Sequence, residues 1–551
     1  MGVATGETHT DAAESENLSM RQHFNRENRE IPSVSKSNDE ERSVNVTDSK
    51  TDMHADGKSH GSIVPTTTAN KGAAEALAES DEGRDPAKKN AAQDAPPRIQ
   101  GRTHGRSRGL HGVREAARKD GKLRFTALLH HVNEDCLTEA FFDLKKTAAV
   151  GVDGVTWHEY ERNLEANIAD LHARVHRGAY RAQPSLRQWK TKPDGRKRPL
   201  GIASLEDKIV QQAVLWVLQC VYEQDFLDFS YGFRPGRSGH NALDALYVAL
   251  TSKRVNWILD ADIEGFFDSI DHEWMIKFLE HRIGDRRILR LIRKWLRAGV
   301  SEDGEWSPTT VGTPQGAVIS PLLGNVYLHY VLDLWIQWWR THRCRGAVVV
   351  VRYADDSVIG FERRDEAEAC LEALRERFAK FGLRLHAGKT RLIEFGRYAI
   401  ERRARRGEGR PEPFDFLGFT HMCAKTRERG WFTIHRHSIA KRVRATLQAI
   451  KKKLRERMHR PIGETGRWLR SVVQGWLNFH AVPSNSHCLG RFIDEVTRYW
   501  LDTIRRRSHR GRRRWDWKRM QRLARLHLPR PRVRHPYPDQ RFRARFKAGT
   551  V

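Results

Sequence analysis

Two adjacent carboxylates sit in the tetrapeptide Tyr353-Ala354-Asp355-Asp356. The apolar run Ala347-Val348-Val349-Val350-Val351-Arg352 leads into it, and Ser357-Val358-Ile359-Gly360-Phe361 leaves it. That pattern predicts a β-hairpin with both carboxylates at its tip. An ordinary Asp-containing turn would look the same in isolation. A third acidic candidate lies upstream, where the short apolar strand Trp257-Ile258-Leu259 runs into Asp260-Ala261-Asp262-Ile263-Glu264-Gly265-Phe266-Phe267. Acidic residues that follow such a strand can stand at its end, within reach of a neighbouring hairpin tip.

Helical spacing surrounds these strands. Between Asp207 and Gln224, the residues Ile209, Val210, Ala213, Val214, Val217, Leu218 and Val221 make one apolar face. Asp365 and Glu368 have the spacing of an N-terminal cap before Leu371, Leu374, Phe378 and Phe381, and Gly382 is a stop. Strands alternating with helices predict an α+β layer with helices on one side of a sheet. After the Arg/Gly/Glu-rich stretch at residues 401–412 and a strand-like stretch at residues 414–419, Ser438 can cap a helix. Its stripe of Ile439, Val443, Leu447, Ile450, Leu454 and Met458 would pack, leaving Lys441, Arg444, Lys451 and Arg455 on a basic face.

Charge is distributed unevenly over the 551 residues. The net charge is +29, yet residues 1–100 hold 12 Lys and Arg against 18 Asp and Glu, so the remainder carries +35. A polyanion is the partner such a body implies. Residues 1–105 are polar and acidic with Phe24 as their one aromatic, a composition that predicts disorder. Residues 501–551 carry 18 Lys and Arg against three acidic residues, interleaved with aromatics. Arg512, Arg513, Arg514 and Trp515 exemplify a pattern that suits phosphates and bases. No apolar run reaches membrane-spanning length, and the first residues lack a secretory pattern. Six scattered cysteines without a C-x-x-C pair argue against a zinc site or a disulfide framework, so a cytoplasmic location is expected.

Three carboxylates brought together would hold two Mg²⁺ ions, since hard cations take oxygen ligands and phosphate substrates complete the shell. Such a pair activates a 3′-hydroxyl and stabilises a leaving pyrophosphate, which is nucleotidyl transfer.

From about residue 123 onward, the sequence resembles the group II intron-encoded reverse transcriptase/maturase family. Tyr353-Ala354-Asp355-Asp356 is similar to the family's Y-A-D-D box, and Asp262 with Phe267 five residues later is similar to its first catalytic block. Asp260 is the alternative in that block. Further blocks follow in order: Gly151-Val152-Asp153-Gly154-Val155, residues 192–202, Tyr231-Gly232-Phe233-Arg234-Pro235-Gly236-Arg237-Ser238, residues 313–325, Gly388-Lys389-Thr390 and Phe416-Leu417-Gly418-Phe419.

The resemblance implies a right-hand polymerase: fingers and palm with a palm β-sheet over residues 106–423, an α-helical thumb or maturase domain X at 424–500, and a basic nucleic-acid-binding region at 501–551. It implies Asp262, Asp355 and Asp356 as Mg²⁺ ligands, and Lys192, Arg198, Ile263, Phe267, Gln315, Gly316 and Lys389 as the deoxynucleoside triphosphate site. Phe267 would exclude a ribose 2′-hydroxyl; otherwise it is a core aromatic. Lys389 could instead anchor a helix terminus.

Lys441, Arg444, Lys451, Arg455 and Trp476 would meet intron RNA, although Trp476, in Gly475-Trp476-Leu477-Asn478-Phe479-His480, also fits a core anchor. The implied partners are group II intron RNA, an RNA template with DNA primer, and target DNA, in a bacterial, nucleoid- or ribonucleoprotein-associated setting. No paired cysteines follow residue 480, so the HNH endonuclease of many relatives is not expected, and a primer would come from elsewhere, for instance a replication fork. A polymerase-inactive RNA-binding maturase and a domesticated or defence-associated reverse transcriptase are the competing expectations.

Overall fold

The computed structural model describes residues 103–191 and 197–545. The expected disordered extension therefore lies outside the described residues, apart from its last three, which begin the helix Thr103–Lys119. Lys192 also lies outside them.

Three sheets organise the described residues. Strands β1 (Ser185–Thr191) and β2 (Lys197–Ile202) form an antiparallel hairpin, which β4 (Val300–Glu302) and β5 (Glu305–Ser307) extend in the order β2-β1-β4-β5. The central antiparallel sheet runs β6-β7-β3-β8, from Val348–Tyr353, Asp356–Phe361, Trp257–Ala261 and Arg391–Glu394. A third sheet follows from β9 (Phe414–Phe416), β10 (Phe419–Lys425) and β11 (Phe432–Ser438).

The central sheet is covered on both faces, not on the one expected. Ile258, Val349, Val351 and Val358 pack with Leu243, Leu246 and Leu250 of the helix Gly239–Ser252. The alternate residues Leu259, Val350 and Ile359 are equally buried, and the helix Arg364–Lys380 lies against β3 and β7. The apolar run of β6 lacks polar alternation because both faces are inside.

Two expected caps differ. Arg363, not an acidic residue, precedes the helix Arg364–Lys380, and Asp365 lies in its first turn, paired with Arg363 at 2.7 Å. Ser438 ends β11, where its hydroxyl meets His480 Nδ1 at 2.8 Å and Asn485 Nδ2 at 2.9 Å; Ile439 precedes the helix Ala440–Glu456. The strand-like stretch at residues 414–419 is broken by a turn at Leu417 and Gly418, both at positive φ.

From Ala440 the described residues are mostly helical, around a core of Leu447, Leu454, Leu469, Phe492 and Trp500. The expected boundaries at 423/424 and 500/501 fall inside β10 and inside the helix Ser486–Arg505. Residues after 501 join this core through Met520, Ala524 and Leu528. The final helix Pro538–Arg545 docks on Gly239–Ser252, with Phe542 only 6% exposed.

Candidate active site

Hairpin register places the carboxylates. β6 and β7 end their ladder at Tyr353↔Asp356, leaving Ala354 and Asp355 as a two-residue turn. β3 pairs with β7 as far as Ala261↔Ser357, so the next residues along the two strands are Asp262 and Asp356. Asp260 lies deeper in β3, opposite Arg391, whose Nη2 is 3.6 Å from its carboxylate. Burial pushes the Asp260 carboxyl up to about 6, and Arg391 opposes that shift.

The turn is held from below. Arg352, fully buried, spends all five guanidinium protons: on Asp333 Oδ1 and Oδ2 at 2.7 and 2.6 Å, Asn325 Oδ1 at 2.9 Å, Ser230 Oγ at 2.7 Å and the Ala354 carbonyl at 2.9 Å. Gly232 lies so close to the turn that a Cβ there would stand 2.2 Å from the Ala354 nitrogen. Ala354 itself has a φ of +56°. None of these supports was assigned a role from the sequence. The signal that could have found them is an arginine ending an otherwise apolar run, which demands a buried acid.

A loop closes over Asp262. Its carbonyl accepts from the His386 amide at 2.8 Å, and Lys389 Nζ donates to its Oδ2 at 2.7 Å. Lys389 thus pairs with a site carboxylate rather than anchoring a helix terminus. Ile263 is buried and bridges to Leu385. Phe267 is half-buried against Phe266, with Gly324 beneath both rings, and its carbonyl accepts from the Thr313 amide at 2.8 Å.

Gln315 ties the β1–β2 hairpin to this region. Its Oε1 accepts from Arg198 Nε at 2.6 Å, its Nε2 donates to Asp268 Oδ2 at 3.1 Å, and its carbonyl accepts from the Gly201 amide at 2.7 Å. Gly316, at a φ of +113°, lies where a Cβ would meet the Gly201 carbonyl at 2.9 Å. Arg198, Gln315, Gly316 and Phe267 are therefore linked through one hydrogen-bonded region. Lys192 falls outside the described residues.

Among the described residues, no three His, Cys, Asp or Glu side chains are gathered closely enough to hold a metal ion as they stand. The β3–β7 register sets Asp262 level with Asp356 beside the Asp355 turn, without a closed ligand cluster among the described residues. The donor set suits a hard divalent cation: all three donors are carboxylates, and the ammonium of Lys389 stands on Asp262 as a stand-in positive charge.

The match to known proteins centres on this region. Residues 190–421 match the reverse transcriptase (RNA-dependent DNA polymerase) family. Protein YkfC of Escherichia coli is 33% identical over 340 residues, a match covering 53% of this chain and 88% of that protein. The group II intron-encoded protein LtrA of Lactococcus lactis is 31% identical over 287 residues, covering 50% of this chain and 48% of LtrA. The chain belongs to the group II intron reverse transcriptase/maturase family. A 91 kDa protein in the cob intron of Schizosaccharomyces pombe is 44% identical over 146 residues, 26% of this family member and 18% of that relative. The chain thus spans about half of LtrA and a smaller part of the fission yeast protein.

The basic residues of this family member divide into two groups. Lys441, Arg444 and Arg455 are exposed on the helix Ala440–Glu456, and Lys451 is half-buried with its Nζ 5.0 Å from the Tyr499 ring centroid. Arg512, Arg513 and Arg514 are exposed. The aromatics beside them are engaged in packing: Trp476 stacks on Phe492 at 3.8 Å and on His480 at 4.4 Å, and Trp515 packs on the helical core.

Part of the basic end is structural. Arg541 forms a bidentate pair with Asp244, which is 1% exposed and also meets Arg436. His535 Nε2 contacts the Asn478 carbonyl at 2.8 Å, and the Arg534 amide donates to the Ala481 carbonyl at the same distance. Residues 534–542 therefore strap the helix Ile462–His480 to Gly239–Ser252.

Proposed function

We propose that the chain is the RNA-directed DNA polymerase of a group II intron and that it also binds the intron RNA to assist splicing and retrohoming. One observation carries this reading: the β3–β7 register brings Asp262 level with Asp356 beside the Asp355 turn, with Lys389 on Asp262. In this account residues 106–423 are fingers and palm, residues 424–500 the thumb, and residues 501–551 a basic region that mixes structural and nucleic-acid roles.

Asp262, Asp355 and Asp356 would hold two Mg²⁺ ions, which when bound activate the primer 3′-hydroxyl and neutralise the triphosphate. The chain's own groups position the reactants. Arg198 would grip the phosphates from β2, aimed by Gln315, and Lys192 would share that role. Gln315 and Gly316 would line the nascent base pair, where the missing side chain of Gly316 lets the strand come close. Phe267, braced by Gly324, would press on the sugar where a 2′-hydroxyl would clash, and Ile263 would support it from the core. Lys389, held at Asp262, would contribute its positive charge to the triphosphate.

The exposed cations Lys441, Arg444 and Arg455, with Lys451, would follow intron RNA, and Arg512 to Arg514 would meet RNA or target DNA backbone. The name of LtrA, a group II intron-encoded protein, supports the intron assignment. Among the described residues, no helix is long and apolar enough to cross a membrane.

The test is extension of a DNA primer on an RNA template with deoxynucleoside triphosphates and Mg²⁺. Template-dependent DNA product is expected. Absence of product, with intron RNA still bound, would replace this reading with that of a polymerase-inactive maturase.

A further inference from the structure

Phe233 holds a φ of +57°, a conformation that bulky residues rarely adopt. Its neighbours account for the strain. Gly232 is pressed against the Ala354 turn, and its carbonyl accepts from Asn325 Nδ2 at 2.8 Å. Arg234, 3% exposed, is anchored by Glu223 at 3.0 Å and by the carbonyls of Leu227 and Ser230 at 2.8 and 2.9 Å. The chain is pinned on either side, and Phe233 absorbs the misfit.

Core packing does not explain why this residue is a phenylalanine. The ring is 45% exposed, and asparagine or glycine would adopt the same backbone at lower cost. Its centroid lies 6.3 Å from that of Tyr353, tilted by 43°. The two rings border a cleft of about 180 Å³, with Leu215, Pro321 and Leu322 among its apolar lining and Gln219 and Arg237 at its polar edge. Pockets for drug-sized ligands start at about 300 Å³, so a single planar ring system is a better match to this volume. The cleft adjoins the site already described, because Tyr353 pairs with Asp356 across the hairpin.

We propose that this cleft takes a nucleobase of the strand lying over Asp355 and Asp356, with the exposed face of Phe233 as its stacking surface. Strain concentrates at positions where function needs a group displayed, and a ring displayed beside a polymerase's carboxylates offers a sequence-tolerant contact to any base. Phe233 is then a positioning residue for the nucleic acid. The inference rests on the polymerase reading. The base could belong to the template or to the primer end, two sources of one chemistry.

Phe233→Asn keeps a residue that tolerates positive φ and removes the ring; Phe233→Trp keeps an aromatic face. Both are compared with wild type in binding an RNA template annealed to a DNA primer, without nucleotide. 2-Aminopurine is placed at the primer 3′ end in one duplex and at the facing template position in another. Wild type and Phe233→Trp should quench the probe in one of the two strands. Phe233→Asn should lose that quenching and bind the duplex about fivefold or more weakly, with an unchanged KM for deoxynucleoside triphosphate. Wild-type affinity and quenching in Phe233→Asn would overturn the proposal. Weaker binding with the quenching intact would overturn it as well, by assigning the ring a purely structural part. Failure of wild type to extend any primer would instead remove the polymerase reading beneath it, so the two failures are distinguishable.

Discussion

Replacing Asp333 with leucine tests how the carboxylate turn is held. Asp333 and Arg352 are both fully buried, and the substitution leaves two guanidinium protons unpaired in the core. Each charge-assisted bond contributes about 1.5–3 kcal/mol, so the two together contribute about 3–6 kcal/mol, and removing one partner of a buried pair costs about 3–5 kcal/mol; about 4 kcal/mol lies within both ranges and is expected. The double variant Asp333→Leu/Arg352→Met removes both charges and should recover much of that stability, since apolar replacement of a buried pair is often neutral. It should not recover activity. Without Arg352 the Ala354 carbonyl loses its donor, and a displacement of about 1 Å at a reacting group costs about 10²-fold in rate. Urea denaturation gives the first quantity, and single-turnover primer extension below the melting temperature gives the second. A loss under about 1 kcal/mol in Asp333→Leu, or wild-type extension by the double variant, would refute the argument.

Three further outcomes follow from the same geometry. Gly232→Ala must push its Cβ against the Ala354 nitrogen, so it should displace the turn and abolish extension while far-ultraviolet circular dichroism is retained; normal extension would show that the turn can yield. Burial lowers His329 to about 4 and both His421 and His480 to about 3. Below pH 6.5 the unfolded chain binds protons that these folded histidines refuse, so stability should fall as pH drops from 6.5 towards 4, by up to about 1.4 kcal/mol per group for each pH unit; a urea midpoint that is flat over that window would contradict it. Arg541→Ala leaves Asp244 with Arg436 alone and frees the strap, so products per binding event should shorten more than the rate of first-nucleotide addition, as read on a gel with a trap template.

How much of this was legible in the sequence depends on the distance over which each signal acts. The carboxylate hairpin and the strand before Asp262 were legible because alternating or continuous apolar runs and their flanking acids are local. The block order added Arg198, Gln315 and Lys389, and the structure links them through contacts no local pattern contains: Lys389 meets Asp262 from 127 positions away. The supports of the turn were not legible. Arg352 marks only the end of an apolar run, and its partners Ser230, Asn325 and Asp333 come from three separate segments. Composition could not divide the basic end for a related reason. It counts guanidinium groups but does not record that Arg541 faces a buried aspartate 297 positions away. Nor could it show that Trp515 and Trp476 have protein partners. Ser438 looked like a cap because serine before an apolar stripe usually is one, but its hydroxyl is committed to His480 and Asn485.

The most direct measurement is RNA-templated primer extension by Asp262→Asn, Asp355→Asn and Asp356→Asn beside wild type, with template–primer affinity measured on the same preparations. Asparagine keeps the shape of each side chain and removes only the charge that would hold Mg²⁺. Extension is expected to fall by about 10³-fold or more in each variant, with duplex affinity changed by no more than about fivefold. Undiminished extension by any one of the three would contradict the assignment of that carboxylate, and undiminished extension by all three would remove the catalytic site described above.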